Sequence, residues 1–158
     1  WDESHFRWVA RNGFHLMTLP WVLPSYERSR VLIAIYRQEL RESGHDVAAH
    51  EVLAMFPTCV TPTADRAAEA EQYWRAMTMA AFGERGGEVI HSVSYERTVK
   101  ETRAIIGDAA ACREHVRYLR DYLGLTHVAC LHHFGGTPQA LVLASMRRFA
   151  QEVAPEFE

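Results

Sequence analysis

Two adjacent histidines, His132 and His133, follow the apolar run His127-Val128-Ala129-Cys130-Leu131, and imidazole is the side chain best placed to move a proton near neutral pH. Either could serve as a proton donor or as a polar contact to an oxygenated species; the alternative for each is a structural histidine satisfied within the fold. Ser4 is a second candidate. It stands at the start of a short helix predicted over residues 4–12, where free backbone N–H groups and the positive end of the helix dipole suit a phosphate. Ser4 and the amides near His5 and Arg7 are therefore candidate anion ligands, and a plain N-cap role for Ser4 fits the same position.

The chain contains nine histidines, but none form an HxxxH pair and no carboxylate triad accompanies them, so no metal site is predicted. GxGxxG, P-loop and GxSxG patterns are absent, which removes the usual signatures of nicotinamide binding, triphosphate hydrolysis and serine hydrolysis. Cys59, Cys112 and Cys130 are odd in number and widely spaced, which predicts reduced thiols rather than a disulfide framework.

Three βα-like units position these residues. Residues 14–19, Phe-His-Leu-Met-Thr-Leu, read as a buried strand closed by Pro20 and Pro24; a helix capped by Ser25 then carries Leu32, Ile33, Tyr36 and Leu40 until Gly44. The apolar stretch Val52–Val60 reads as a second strand. The helix after it, capped by Thr61 or Thr63, carries Ala70, Tyr73, Trp74, Met77 and Ala81 on one face. The third strand is residues 127–131. Gly135-Gly136 then turns the chain, Thr137 suits an N-cap and Pro138 a first helical position, with Leu141, Val142, Ser145, Met146 and Phe149 inward. A helix from about Asp108 to Leu123 precedes this strand, with Cys112, Val116, Leu119 and Leu123 inward. Residues 83–103 open on Gly83, Gly86 and Gly87 and read as a long loop, either a mobile active-site lid or an inert insertion.

Apolar strands alternating with amphipathic helices define an α/β fold with a parallel sheet. At 158 residues, 48% hydrophobic and 23% charged, with a net charge of −3, the chain suits a globular domain and gives no field for nucleic acid or a membrane surface. No apolar run reaches the roughly 20 residues of a membrane span. The N-terminus lacks signal-peptide character, so a cytoplasmic location is expected.

Gly135-Gly136-Thr137, then Ala144-Ser145-Met146-Arg147-Arg148-Phe149-Ala150 and Glu152-Val153-Ala154-Pro155, resemble the C-terminal signature of bacterial luciferase-like flavin monooxygenases. Trp8-Val9-Ala10-Arg11-Asn12-Gly13, Gly44-His45-Asp46, Tyr73-Trp74, Ile106-Gly107-Asp108 and Gly124-Leu125-Thr126-His127 are similar to earlier parts of that family, in order and over essentially the whole chain. The resemblance implies strands six to eight and their helices from a (β/α)8 TIM barrel. Such a barrel usually needs around 250 residues, so about its first half would be absent.

The same resemblance implies reduced FMN, or the deazaflavin F420, as cofactor. It places the FMN phosphate near Ser4, His5 and Arg7, and it sets Met17, Leu19 and Trp21 near the flavin ring or an apolar substrate, although core packing is the other reading for these three. The implied reaction uses O2 to oxygenate an apolar or carbonyl-containing substrate, with a flavin reductase as a further partner. Two alternatives accompany it: an F420-dependent oxidoreductase, and a non-catalytic half-barrel that assembles with itself or with a missing N-terminal half. Setting the resemblance aside leaves a small doubly wound α/β domain that binds a phosphate-bearing ligand.

Overall fold

The computed structural model describes residues 2–23, 25–91 and 104–157. Two compact units are distinguished, one of residues 1–55 with 117–129 and one of residues 56–116 with 130–158.

In the first unit, helix α1 (Glu3–Arg11) leads through a Gly13 turn at φ 65° to strand β1 (Leu16–Thr18). Helix α2 (Tyr26–Glu42) follows. Asp2, not Ser4, is the N-cap of α1, with Glu3 in the first turn and Arg11 in the last, so side-chain charge complements the helix dipole at both ends. Phe6 and Ala10, four residues apart, are the buried pair of α1. Ser25 caps α2 as predicted, its hydroxyl accepting the Arg28 N–H at 3.1 Å, and Leu32, Ile33, Tyr36 and Leu40 are fully buried. The Tyr36 hydroxyl donates to the Phe14 carbonyl at 2.7 Å and ties α2 to the turn before β1.

Strand β2 (Val52–Val60) passes from one unit into the other, and its last five residues are all buried. Its first three residues pair in parallel with β1, Leu16 opposite Val52. Its last three pair in parallel with a strand that the sequence reading missed, β3 (Ile105–Gly107), with Thr58 opposite Ile105. Helix α3 (Ala67–His91) lies between β2 and β3 in sequence and buries Ala70 and Trp74. It continues through Gly83, Gly86 and Gly87, so the expected loop does not begin at 83; residues 92–103 lie outside the described residues.

Helix α4 (Ala109–Leu123) buries Cys112, Val116, Leu119 and Leu123, the predicted stripe, and leads to strand β4 (His127–Leu131), which pairs with β2. Among the described residues four strands are thus present where the sequence predicts three. The last helix, α5 (Gln139–Arg148), starts after Pro138 and has no side-chain cap. Thr137 instead turns its hydroxyl back onto the Phe134 carbonyl. Of the stripe expected on α5, only Ser145 is fully buried, and Met146 stands 48% exposed.

Candidate functional site

At the N-terminus of α1 four donors converge on one oxygen. Oδ1 of Asp2 lies 2.9 Å from the Ser4 N–H, 2.6 Å from the Ser4 hydroxyl, 3.4 Å from the His5 N–H and 3.0 Å from His5 Nδ1. The Ser4 hydroxyl, followed by the His5 ring and the two amides, holds the Asp2 carboxyl down at about 2 against the cost of its desolvation. Two amides, a hydroxyl and an imidazole are the donor set of an oxyanion site, and here a carboxylate of the same chain fills it. The donor set fits a phosphate provided that the exposed Asp2 side chain turns away. Asp2 was overlooked in the sequence reading, although aspartate and serine are equally good caps.

Arg7 does not reach toward this end of the helix. Its guanidinium donates to Glu39 Oε2 at 2.7 Å, while Arg11 donates to Glu39 Oε1 at 2.6 Å, and the Arg7 amide, in the second turn of α1, belongs to the helix's own hydrogen-bond ladder, so Arg7 is not left as an anion ligand. Hydrogen bonds from Arg7, then from Arg11, hold the Glu39 carboxyl below its ordinary value.

Beside these donors, between α1 and β1, is a cavity of about 300 Å³ lined by His5, Phe6, Val9, Leu16 and Met17. His5 and Met17 are thereby brought together, whereas Trp21 is half-buried on the 3-10 turn Pro20–Val22 and does not line the cavity. Among the described residues β1 pairs only with β2, which leaves its other edge open next to exposed Trp8, Phe14 and Met17. The buried Thr18 hydroxyl on the same strand has no hydrogen-bond partner among the described residues.

In the second unit the C-terminal ends of the strands are bound by polar contacts. The Thr61 N–H donates to the Gly107 carbonyl at 2.7 Å. From α5, the Ser145 hydroxyl accepts the Val60 N–H at 2.8 Å and Arg148 reaches the Val60 carbonyl at 3.4 Å. His132 Nδ1 lies 3.0 Å from the same Ser145 oxygen, and the ring meets Phe149 edge-on at 5.8 Å. Burial pushes the His132 pKa down, opposed by the Thr58 backbone, so the ring is neutral at neutral pH. His133, next in sequence, is exposed. Burial also pushes all three thiols up, Cys112 to about 12, which leaves none of them as a ready nucleophile. Among the described residues no group of three histidines, cysteines or carboxylates could hold a metal, and no helix is long and apolar enough to cross a membrane.

This is the architecture of an α/β protein with parallel strand pairing, and solved flavin- and F420-type oxidoreductases share it. The chain is similar to the monooxygenase RslO1 from Streptomyces bottropensis, with 19% identity and a TM-score of 0.79 over 99% of this chain and 46% of that one. It is similar to the oxygenating constituent of 3,6-diketocamphane monooxygenase from Pseudomonas putida, a Type II Baeyer-Villiger enzyme solved with FMN, at 13% identity and a TM-score of 0.74 over 97% and 45%. It also matches the F420-dependent tetrahydromethanopterin reductase of Methanopyrus kandleri, at 14% identity and a TM-score of 0.65 over 99% and 49%. At these identities the likeness establishes the fold, and the chain spans about half the length of each neighbour. No protein-family model matches the sequence, and no curated protein matches it either.

Proposed function

We propose that the chain is the C-terminal half of a luciferase-like (β/α)8 barrel, working as part of a flavin-dependent monooxygenase on an apolar or carbonyl-containing substrate. The observation that carries this reading is the four-donor set at the start of α1, held next to an apolar cavity in a chain whose whole length superposes on monooxygenases.

In this reading the Ser4 hydroxyl, the Ser4 and His5 amides and the His5 ring hold the cofactor phosphate once Asp2 turns out. Phe6, Val9, Leu16 and Met17 supply an apolar wall which, once a covering half closes over the exposed Met17, excludes water and so strengthens every electrostatic contact inside. When bound, reduced FMN supplies the electrons and the reaction with O2; the protein supplies binding, orientation and a dry site. A flavin reductase would deliver the reduced cofactor. The open β1 edge with Trp8, Phe14 and Met17 calls for a covering half, because an exposed strand edge beside an apolar patch is an aggregation liability.

The test is incorporation of an atom from isotopically labelled dioxygen into a cyclic ketone, using photoreduced FMN and the protein that carries this chain. Incorporation supports the monooxygenase. Turnover of an alcohol with F420 and no uptake of O2 would favour the second reading, for which the fold shared with F420-dependent enzymes speaks.

A further inference from the structure

Ser145 is an unusual residue to find at zero exposure in the middle of α5. A buried hydroxyl must place both its proton and its lone pairs, since leaving either unpaired costs free energy. The Val60 amide can only donate, so its hydrogen takes one lone pair of the Ser145 oxygen at 2.8 Å. The hydroxyl proton must then find an acceptor inside the fold, and Nδ1 of His132 lies 3.0 Å away. Cys59, whose thiol also interacts with Ser145, is the weaker acceptor, because sulfur of a protonated thiol accepts poorly.

We propose that Ser145 is a positioning residue that donates to Nδ1 of His132 and so fixes the ring as its Nε2–H tautomer. Burial keeps the ring neutral, so only one of its two nitrogens carries hydrogen. The consequence is chemical: at the C-terminal end of β4 the ring presents a hydrogen-bond donor and not a general base. The ring then supplies no base at this end of the strands, and the Ser145 hydroxyl links the end of β2, through the Val60 amide, to the end of β4. Its bearing on oxygenation rests on the flavin reading, but the tautomer itself does not.

The experiment is long-range proton–nitrogen correlation NMR on the full chain labelled at histidine nitrogen, with the His132 signals assigned by their loss in His132→Gln. The expected wild-type pattern is a protonated Nε2 and a bare Nδ1. Ser145→Ala should lose this single-tautomer pattern, and Ser145→Thr, which keeps the hydroxyl, should restore it. A wild-type Nδ1–H form overturns the proposal, as does an unchanged pattern in Ser145→Ala. Where Ser145→Ala does not fold, the wild-type spectrum decides alone. Failure of flavin binding leaves this readout untouched, so the two proposals fail separately.

Discussion

A Cβ placed on Gly135 would stand 1.7 Å from the carbonyl oxygen of Tyr73, and the residue holds φ at 57°. The turn after β4 therefore runs against the backbone of α3, where no side chain fits. Gly136, one position on, is at φ 76° with nothing within 4 Å of such a Cβ. The two glycines of this turn are needed for different reasons.

Gly135→Ala is accordingly expected to cost about 3 kcal/mol or more, since backbone and not a movable side chain must give way. Gly136→Ala carries only the left-handed backbone penalty of about 1–2 kcal/mol. Denaturant unfolding of the two variants measures the difference, and equal losses would contradict the close approach to Tyr73.

Ser145→Ala leaves the Val60 N–H buried without a partner, which predicts a loss of about 1–3 kcal/mol. Thr18→Val should act in the opposite direction. The Thr18 hydroxyl is buried and finds no partner among the described residues, so replacing it with a methyl group is expected to be neutral or to stabilise by about 1 kcal/mol. Unfolding midpoints in urea check both signs.

Acid should destabilise the fold in two separable steps. His132 has a lowered folded pKa, so its contribution is complete above the ordinary value of 6.5 and declines as pH falls below it, where the unfolded ring takes up a proton more readily. Glu39 is lowered by Arg7 and Arg11, so its contribution is complete above the ordinary value of 4.5 and is lost as pH falls through the lower folded value. His132→Gln should flatten the first part of a stability–pH curve and Glu39→Gln the second. A curve in which neither variant alters its own window would refute these assignments.

Local signals were easy to read in the sequence. The Ser25 cap, the Gly44 stop, the α4 stripe and strand β2 all follow from capping chemistry and period, which depend on neighbours a few residues apart. β3 escaped because Ile105-Ile106-Gly107 is too short to show any period. α3 ran past its glycines because glycine is only a weak prior against a helix. At the site, Ser4 and His5 were legible from their place at a helix start, but the capture of their donors by Asp2 was not, since two caps of equal quality compete two residues apart. The link from Val60 to Ser145 spans 85 residues of sequence and no periodicity encodes it.

The most direct measurement of the central claim is a fluorescence-quenching titration of FMN against riboflavin, in the protein that carries this chain and in its Ser4→Asp and Asp2→Gly variants. The account predicts that FMN binds at least tenfold more tightly than riboflavin, that Ser4→Asp abolishes this preference by placing a second carboxylate among the donors, and that Asp2→Gly enlarges it by freeing them. Equal binding of the two flavins, unaffected by either substitution, would contradict a phosphate site at the start of α1 and with it the cofactor assignment.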